Sequence, residues 1–538
     1  MSLPLDPLNT APISGAAEAR RILQLGLDHH SEGRFDQARS YYEQVLTVSP
    51  NHFDALHMMG VLAIQTRRPK EAVALIERAI LQKPGIASAQ RNYALALREA
   101  GRKQEAVEAY TRAIVIEPTY VASYVDLAET LVDLGQPMLA VLCCDRGLQN
   151  CGQDPALHLA RAVSLRGCER LEEALASCDT AIFYQPGYTE AWDKRGATLQ
   201  ALGRLDEAQE SYSRAIELQP DFDLARYHSG MLHLQTGRLS SGWTLHECRE
   251  QAQRDFGRPR WPVNGPGNQG SVLIHSEQGL GDTVQFCRYA LEVAAEGARV
   301  TLMVQQPLLG VMQTLGRHIT VIADTPDPPP TDFQCPLMSL PLVFGTSLRT
   351  IPAPVPYLAA DPERVISWRQ RLGPAGFKLG ICWRGSNMPS AVGKDFPVTL
   401  LQSIARVPDI RLVSLQKGAG VEQLRDLPQG VSVEDLGSDF DSGATGFLDT
   451  VAVMESLDLI ITCDTSVAHL AGALGRPTWI ALKHVSDWRW LTERSDTPWY
   501  PTVCLFRQPR AGDWSAVFDS MLARLLLQMP ARAGVTQR

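Results

Sequence analysis

Two patterns of hydrophobic positions divide the chain. Up to about residue 256, apolar and small residues recur at helical spacing, and prolines at Pro50, Pro84, Pro118, Pro186 and Pro220 return at a period of 34 residues or twice that. After residue 270, apolar runs of four to six residues alternate with helical segments. The sequence therefore predicts an all-helical half followed by an α/β half.

Small residues recur at two positions of each 34-residue unit. They are Gly26, Gly60, Ala94, Ala128, Ala162, Gly196 and Gly230 at one position, and Ala38, Ala72, Ala106, Ala140, Ala174 and Ala208 at the other. Small side chains let the two helices of a unit approach closely, while Tyr42, Tyr110 and Tyr212 supply bulk nearby. The units match the tetratricopeptide repeat (TPR).

The repeats predict an α-helical TPR superhelix. We expect a flexible N-terminus over residues 1–18 and about six and a half repeats over residues 19–256, the last of which degenerates at Gly242-Trp243 and caps the array. Such arrays present the first helix of each unit on an inner surface, which usually binds peptide. A spacer or a dimerisation surface is the alternative, because repeat architecture alone does not specify a ligand.

The second half predicts two doubly wound, Rossmann-like lobes. Helical spacing stops in RPRWPVNGPGNQG, and a proline-rich passage from Pro326 to Pro362 separates a first lobe, residues 257–362, from a second, residues 363–538. The predicted strands are SVLIH, RVTLMV and ITVIA in the first lobe and KLGICW, RLVSL, VSVEDL, DLIITCD and PTWIAL in the second. Ligands of such sheets bind at the carboxyl ends of the strands, so we expect the site in the cleft between the lobes.

Composition excludes several classes of partner. The formal net charge is -8 and no long Lys/Arg run occurs, which argues against nucleic acid. The first residues lack the basic and apolar regions of a signal peptide, and no stretch approaches the roughly 18 apolar residues of a membrane span. The eleven cysteines include no CxxC pair. These features predict a cytoplasmic protein without structural zinc or disulfides.

The first motif is HSEQGLGD, between a strand and a helix of the first lobe. Gly279 and Gly281 permit a tight turn and close approach of a ligand, and Asp282 lies where the cleft opens. The alternative is structural, since Asp282 could be an N-cap with Gln285 at the capping-box position.

The second motif is CDTSVAHLAGALGRPTW, a strand end that runs into a helix. Thr465 and Ser466 offer hydroxyls and backbone N–H groups at the positive end of the helix dipole, which suits a diphosphate. His469 follows one turn later. Asp464 could be an N-cap and His469 a packed core histidine.

Three cations follow strands of the second lobe: Arg384, Lys394 and Lys417. Together they could neutralise a leaving nucleotide diphosphate, although each alone could be a solvated surface charge. The sequence also contains DxD strings at Asp221-Phe222-Asp223 and Asp439-Phe440-Asp441. Both fall where turn chemistry explains them, so no metal is predicted.

The second half resembles the heptosyltransferase (glycosyltransferase 9) family of GT-B glycosyltransferases, and more distantly the O-GlcNAc transferases. The segments that carry the resemblance are HSEQGLGDTVQFCRYA, CPLMSLPLVFGT, SLQKG, CDTSVAHLAGALGRP, SDWRWL with PWYP, and FRQPRAGDW. The resemblance implies an inverting, metal-independent transfer from a nucleotide-sugar. It makes Asp282 the general base, with Asp464, Thr465, Ser466, His469 and Lys394 at the donor phosphates. Heptosyltransferases usually lack repeats and the O-GlcNAc enzymes have a longer catalytic region, so neither implies the substrate.

The predicted function is transfer of a sugar to a protein acceptor held by the TPR groove. Some repeat-bearing members resemble enzymes that modify flagellin or other surface proteins, which suggests an O-linked acceptor of that kind. No cofactor beyond the nucleotide-sugar co-substrate is expected, and a homo-oligomer is compatible with end-face association of repeats. Two alternatives stay open: a non-catalytic TPR scaffold with a degenerate GT-B domain, and a transferase acting on lipid or polysaccharide.

Overall fold

The computed structural model of the chain describes residues 16–249, 254–261, 270–385, 393–443 and 446–528. Its contacts divide it into two compact units, Met1–Pro220 and Asp221–Arg538. The predicted flexible segment, residues 1–18, lies outside the described residues except for its last three, which belong to the first helix. Most of the segment RPRWPVNGPGNQG, in which the helical spacing stops, also lies outside them.

Twelve helices of the first unit are described, and they pair in the order of the repeats. They are α1 (Ala16–Ser31), α2 (Phe35–Val48), α3 (Phe53–Gln65), α4 (Pro69–Gln82), α5 (Ala87–Glu99), α6 (Lys103–Ile116), α7 (Val121–Asp133), α8 (Pro137–Cys151), α9 (Pro155–Gly167), α10 (Leu171–Tyr184), α11 (Thr189–Ala201) and α12 (Leu205–Leu218). The predicted helical repeats are therefore confirmed.

The small-residue positions are helix contacts, as predicted. The alanines at the second position, from Ala38 to Ala208, are fully buried. A Cβ built on Gly26 would lie 2.6 Å from Cε1 of Tyr42, and one built on Gly196 would lie 2.6 Å from Cε1 of Tyr212. Because real Cβ contacts are longer than this, these sites exclude any larger side chain while the tyrosines stay in place.

The last repeat hairpin belongs to the second unit. It consists of α13 (Asp223–Gln235) and α14 (Leu239–His246). Trp243 is buried, donates from Nε1 to the carbonyl of Thr346 at 3.0 Å, and packs edge-on against Phe286 and Trp488. The hairpin is therefore part of the core of the α/β region. The sequence predicted that this last repeat caps the array, but Trp243, at which the repeat pattern degenerates, packs into that core.

The rest of the second unit alternates strands and helices. The strands are β1 (Ser271–His275), β2 (Arg299–Val304), β3 (Ile319–Ala323), β4 (Phe333–Pro336), β5 (Phe377–Cys382), β6 (Ile410–Ser414), β7 (Val433–Glu434), β8 (Leu459–Cys463), β9 (Thr478–Leu482) and β10 (Val503–Arg507). The helices are α15 (Leu280–Phe286), α16 (Arg288–Ala295), α17 (Leu309–Met312), α18 (Leu340–Val343), α19 (Pro362–Leu372), α20 (Gln402–Ala405), α21 (Leu448–Met454), α22 (Ser466–Ala473) and α23 (Trp514–Gln528).

The strands form two wholly parallel sheets. The first lobe has the order β3-β2-β1-β4 and the second β10-β9-β8-β5-β6-β7. Counted from β5, the second order is the 3-2-1-4-5-6 of doubly wound dinucleotide-binding folds, whose ligands bind where the strand order reverses. Here that point lies between β5 and β8. Two parallel α/β sheets were predicted and are confirmed.

The sequence missed two strands. β4 lies inside the passage from Pro326 to Pro362 that was predicted to interrupt the sheet, and it pairs with β1. It is short and ends at a proline, so its local pattern was that of a loop. The last strand, β10, pairs with β9 at the edge of the second sheet. The helical segment between β1 and β2 is two helices, α15 and α16, that meet at Cys287.

Candidate functional site

One cavity of about 740 Å³ lies at the carboxyl ends of β5, β6 and β8, facing the N-terminus of α15. Every site residue predicted from the sequence lines it: Gly279, Gly281, Asp282, Lys394, Lys417, Asp464, Thr465, Ser466 and His469. Arg384 lines it as well. The cavity occupies the switch point of the second sheet, where the topology of doubly wound folds places a ligand.

Asp282 stands in the first turn of α15, in the first lobe. Its Oδ2 accepts a hydrogen bond from the backbone N–H of Gly279 at 2.8 Å, so Gly279 is the N-cap and Asp282 the acidic third residue of the helix. The alternative in which Asp282 is the N-cap and Gln285 its partner is wrong, and the amide of Gln285 is buried without a partner among the described residues. Burial raises the pKa of Asp282.

Arg489 reaches Asp282 from the second lobe. It lies in the turn that follows β9, where Asp487 caps a single 3-10 turn. Its Nη1 donates to Oδ1 of Asp487 at 2.7 Å, its Nη2 donates to Oδ1 of Asp282, and its guanidinium lies 4.3 Å from the ring centre of Trp488. The positive charge of Arg489 opposes the effect of burial on the pKa of Asp282.

Lys394 extends this ion pairing across the cavity. Its Nζ lies 2.7 Å from Oδ2 of Asp464 and 3.8 Å from Oδ2 of Asp487. These two carboxylates raise the pKa of Lys394 although burial opposes them, and Arg489 and Lys394 together hold the pKa of Asp487 well below its usual range. The result is an alternating row of charges: Asp282, Arg489, Asp487, Lys394 and Asp464.

The N-terminus of α22 faces the same space. Thr465 is the N-cap and accepts a hydrogen bond from the N–H of Val467 at 3.1 Å, so Asp464 is not the cap. His469 is buried, with its Nδ1 2.9 Å from the hydroxyl of Tyr500 and its ring stacked on Trp490 at 5.2 Å. Burial lowers the pKa of His469 well below its ordinary value, so it enters the site as a neutral ring.

The remaining predicted cations line the cavity with partners of their own. Lys417 donates from Nζ to the carbonyl of Phe440 at 2.8 Å and to that of Asp441. Arg384 lies 3.4 Å from Asp395 and 3.5 Å from Glu422. Lys417 therefore binds the loop before α21, and its role toward a ligand stays a prediction.

Three carboxylates of the two DxD strings pair with groups of the protein. Oδ1 of Asp441 accepts from the N–H of Asp449 at 2.7 Å, which ties the loop to the start of α21, while Asp439 pairs with Arg371 at 3.0 Å. Asp223 pairs with Arg226 on the same helix at 3.1 Å. Within the described ranges, no group of three or more His, Cys, Asp or Glu side chains is arranged to hold a metal ion.

Among the residues that line this cavity and that the sequence did not assign are Tyr227, Asp487 and Arg489. Asp487 and Arg489 lie in SDWRWL, a segment quoted for the family resemblance, but no spacing rule links them to Asp282. Tyr227 lies on α13, a repeat helix, where nothing in the local pattern signals a site in the α/β region.

Trp383, Trp488 and Trp490 of the second lobe are all buried and belong to its core.

Comparisons with known proteins support the assignment of the helical units as tetratricopeptide repeats. Residues 29–94 and 189–222 match models described as tetratricopeptide repeat. The chain is also similar to Protein FlbA of Caulobacter vibrioides, with 25% identity over 93% of this chain and 83% of that protein. None of these matches concerns glycosyl transfer.

Solved structures similar to this chain include TPR proteins. One from Parabacteroides merdae has a TM-score of 0.40 and 13% identity, over 44% of this chain and 94% of its own. PilF of Pseudomonas aeruginosa has a TM-score of 0.34 and 20% identity, over 40% and 97%. YrrB, titled a TPR protein with an unusual peptide-binding site, has a TM-score of 0.28 and 21% identity, over 34% and 95%.

The fold and the matches to the tetratricopeptide repeat models define a TPR protein with an α/β region of two parallel sheets. TPR units are suited to binding a protein or peptide partner. Among the described helices, none is both long and apolar enough to cross a membrane.

Proposed function

We propose that the chain is a GT-B glycosyltransferase that moves a sugar from a nucleotide-sugar to a protein acceptor recognised by its repeats. The observation that carries this proposal is the convergence, in one cavity, of Asp282 from the first lobe and of Lys394 with the start of α22 from the second. Two doubly wound lobes that both contribute to a cleft are the architecture on which GT-B enzymes depend.

The chemistry follows from the charges. A general base is most effective when its pKa is raised toward the working pH, and burial does this for Asp282. Asp282 accepts the proton of the acceptor hydroxyl while the oxygen attacks the anomeric carbon, and the bond from that carbon to the nucleotide phosphate breaks. One displacement inverts the configuration. Backbone N–H groups at Thr465 and Ser466, with Lys394, stabilise the negative charge of the departing nucleotide.

The second candidate is a TPR scaffold that binds nucleotide without transferring sugar. It is favoured by the pairing of Asp282 with Arg489 and of Lys394 with Asp464 and Asp487. In the enzyme, substrates must displace these partners. In the scaffold, these ion pairs stay formed and the cleft has only a structural role in the second unit.

Thermal unfolding in the presence of nucleotide diphosphates and nucleotide-sugars tests the donor site. Binding to the folded state raises the unfolding temperature. We expect one nucleotide to stabilise the chain and Asp464→Ala and His469→Ala to abolish the effect. Asp327→Ala, which changes an exposed carboxylate outside the cavity, is the control and should respond as the natural chain does.

Transfer is then measured with the stabilising nucleotide-sugar and two acceptors, purified flagellin and a pool of short peptides with a central Ser or Thr, by the mass added to each. Asp282→Asn should keep nucleotide binding and lose transfer by about 100-fold or more. Nucleotide binding without any transfer by the natural chain would support the scaffold. Transfer to a carbohydrate acceptor alone would replace the protein acceptor, and full activity of Asp282→Asn would remove the assigned base.

A further inference from the structure

The last repeat hairpin is held firmly against the α/β region. Besides the burial of Trp243, Gln235 donates from Nε2 to the carbonyl of Ser486 at 3.2 Å. Arg249, just after α14, pairs with Glu277 of the Gly-rich motif at 2.9 Å, and both side chains are fully buried. The position of α13 relative to the cavity is therefore set by contacts inside one compact unit.

α13 contributes two side chains to the cavity wall, Tyr227 and Met231. They are four residues apart, so they share one face of the helix. The ring of Tyr227 packs on that of His246, with 5.5 Å between the ring centres. Its hydroxyl has no hydrogen-bond partner among the described residues, although Arg489, Asp487 and Asp282 are close enough to influence the pKa of Tyr227.

The face of α13 that carries Tyr227 and Met231 can be compared with the same face of the first helix in the preceding repeat. One period of 34 residues earlier, the equivalent positions are Asp193 and Ala197 of α11, also a first helix of its hairpin. First helices line the surface on which a TPR array holds its ligand. On α13, this face borders the cavity that contains Asp282.

We infer that Tyr227 is an acceptor-binding residue, whose hydroxyl donates a hydrogen bond to the acceptor segment while Met231 packs against its apolar part. This inference rests on the proposed function. In the proposed function the donor phosphates are bound by Lys394 and the start of α22, whereas Tyr227 lines the cavity together with the proposed base. Burial raises the pKa of Tyr227, so the phenol keeps its proton, and the ability to donate, at neutral pH.

The test compares Tyr227→Phe with the natural chain in the peptide and flagellin transfer assays. The substitution removes the hydroxyl and retains the ring. We expect KM for the acceptor to rise about three- to tenfold, with little change in kcat. The unfolding shift caused by the nucleotide should be unchanged. Leu224→Ala, on the exposed side of the same helix, is the matched control and should leave both KM values unchanged.

The outcomes separate this inference from the proposed function. If the natural chain transfers sugar and Tyr227→Phe has the natural KM for acceptor, or raises KM for donor instead, the acceptor role of Tyr227 is wrong and the proposed function stands. If the natural chain binds nucleotide but modifies no acceptor, both fail together. Tyr227→Ala, with its fold checked by circular dichroism, should raise the acceptor KM further than Tyr227→Phe.

Discussion

Arg489 and Asp282 form an ion pair that joins the two lobes, with the guanidinium supplied by the turn after β9 and the carboxylate by the first turn of α15. The same guanidinium also binds Asp487, which Lys394 approaches in turn. The proposed base is thus coupled to the group proposed to neutralise the leaving nucleotide.

Removing Arg489 should shift the pH dependence of transfer. Burial raises the pKa of Asp282 and Arg489 opposes this rise, so Arg489→Met should raise that pKa further. The base acts when ionised, so activity is lost as pH falls through its pKa. The acid limb of kcat/KM should therefore move to higher pH in Arg489→Met. Arg494→Met, which breaks an exposed pair with Asp496, is the control. An unmoved acid limb would show that Asp282 does not set it.

The buried pair of Arg249 and Glu277 should govern the stability of the second unit. Arg249→Met leaves the Glu277 carboxylate buried without its cation, which costs about 3–5 kcal/mol of unfolding free energy. Urea unfolding followed by tryptophan fluorescence measures this, since nine of the ten tryptophans follow residue 220. Arg494→Met, in an exposed pair, should cost less than about 1 kcal/mol. Equal losses in the two variants would contradict the assignment.

Gly281 should tolerate no side chain. A Cβ there would lie 2.9 Å from Cδ2 of His469, whose ring is held by Tyr500 and Trp490 and cannot easily move away. We expect Gly281→Ala to lower the unfolding free energy by about 1–3 kcal/mol in urea. Gly385→Ala, at the same cavity but 3.9 Å from the nearest atom, should cost clearly less. If the two glycines behave alike, the close approach of α15 and α22 is not a constraint.

His275 should make the second unit sensitive to acid. Burial lowers the pKa of His275 to about 4, against about 6.5 in the unfolded chain. Between these values the unfolded state takes up a proton that the folded state does not. His275 therefore does not weaken the folded state above about pH 6.5, and the free energy of unfolding falls by about 3 kcal/mol as the pH falls toward 4.

His275→Leu should flatten this dependence and be at least as stable at pH 7, because both ring nitrogens lack a partner among the described residues. Urea unfolding at several pH values measures the slope. His318→Leu, which changes an exposed histidine of the same lobe, should keep the natural slope. A slope unchanged by His275→Leu would mean that other groups cause the acid sensitivity.

The elements that were predicted correctly have strong local patterns. The repeats were read from a period that places Ala38 and its equivalents at buried helix contacts, and most strands from short apolar runs. The rule that ligands meet the carboxyl ends of parallel strands then grouped Asp282, Lys394 and Thr465, and all three line one cavity. β4 was not predicted, because its pairing with β1 in the tertiary structure overrides its proline-rich context.

By itself, the sequence determined the repeats, the two parallel sheets and the segments that border the cavity. Helical periods, apolar strand runs and the loops after strands all depend on the spacing of residues that are close together in the sequence. Only the tertiary structure decided that Arg489 meets Asp282, that Asp282 is the third residue of α15 with Gly279 as its cap, and that Tyr227 belongs to the cavity wall. Arg489 and Asp282 are 207 residues apart in the chain. Such contacts arise from how packed elements place side chains, and no local pattern records that placement.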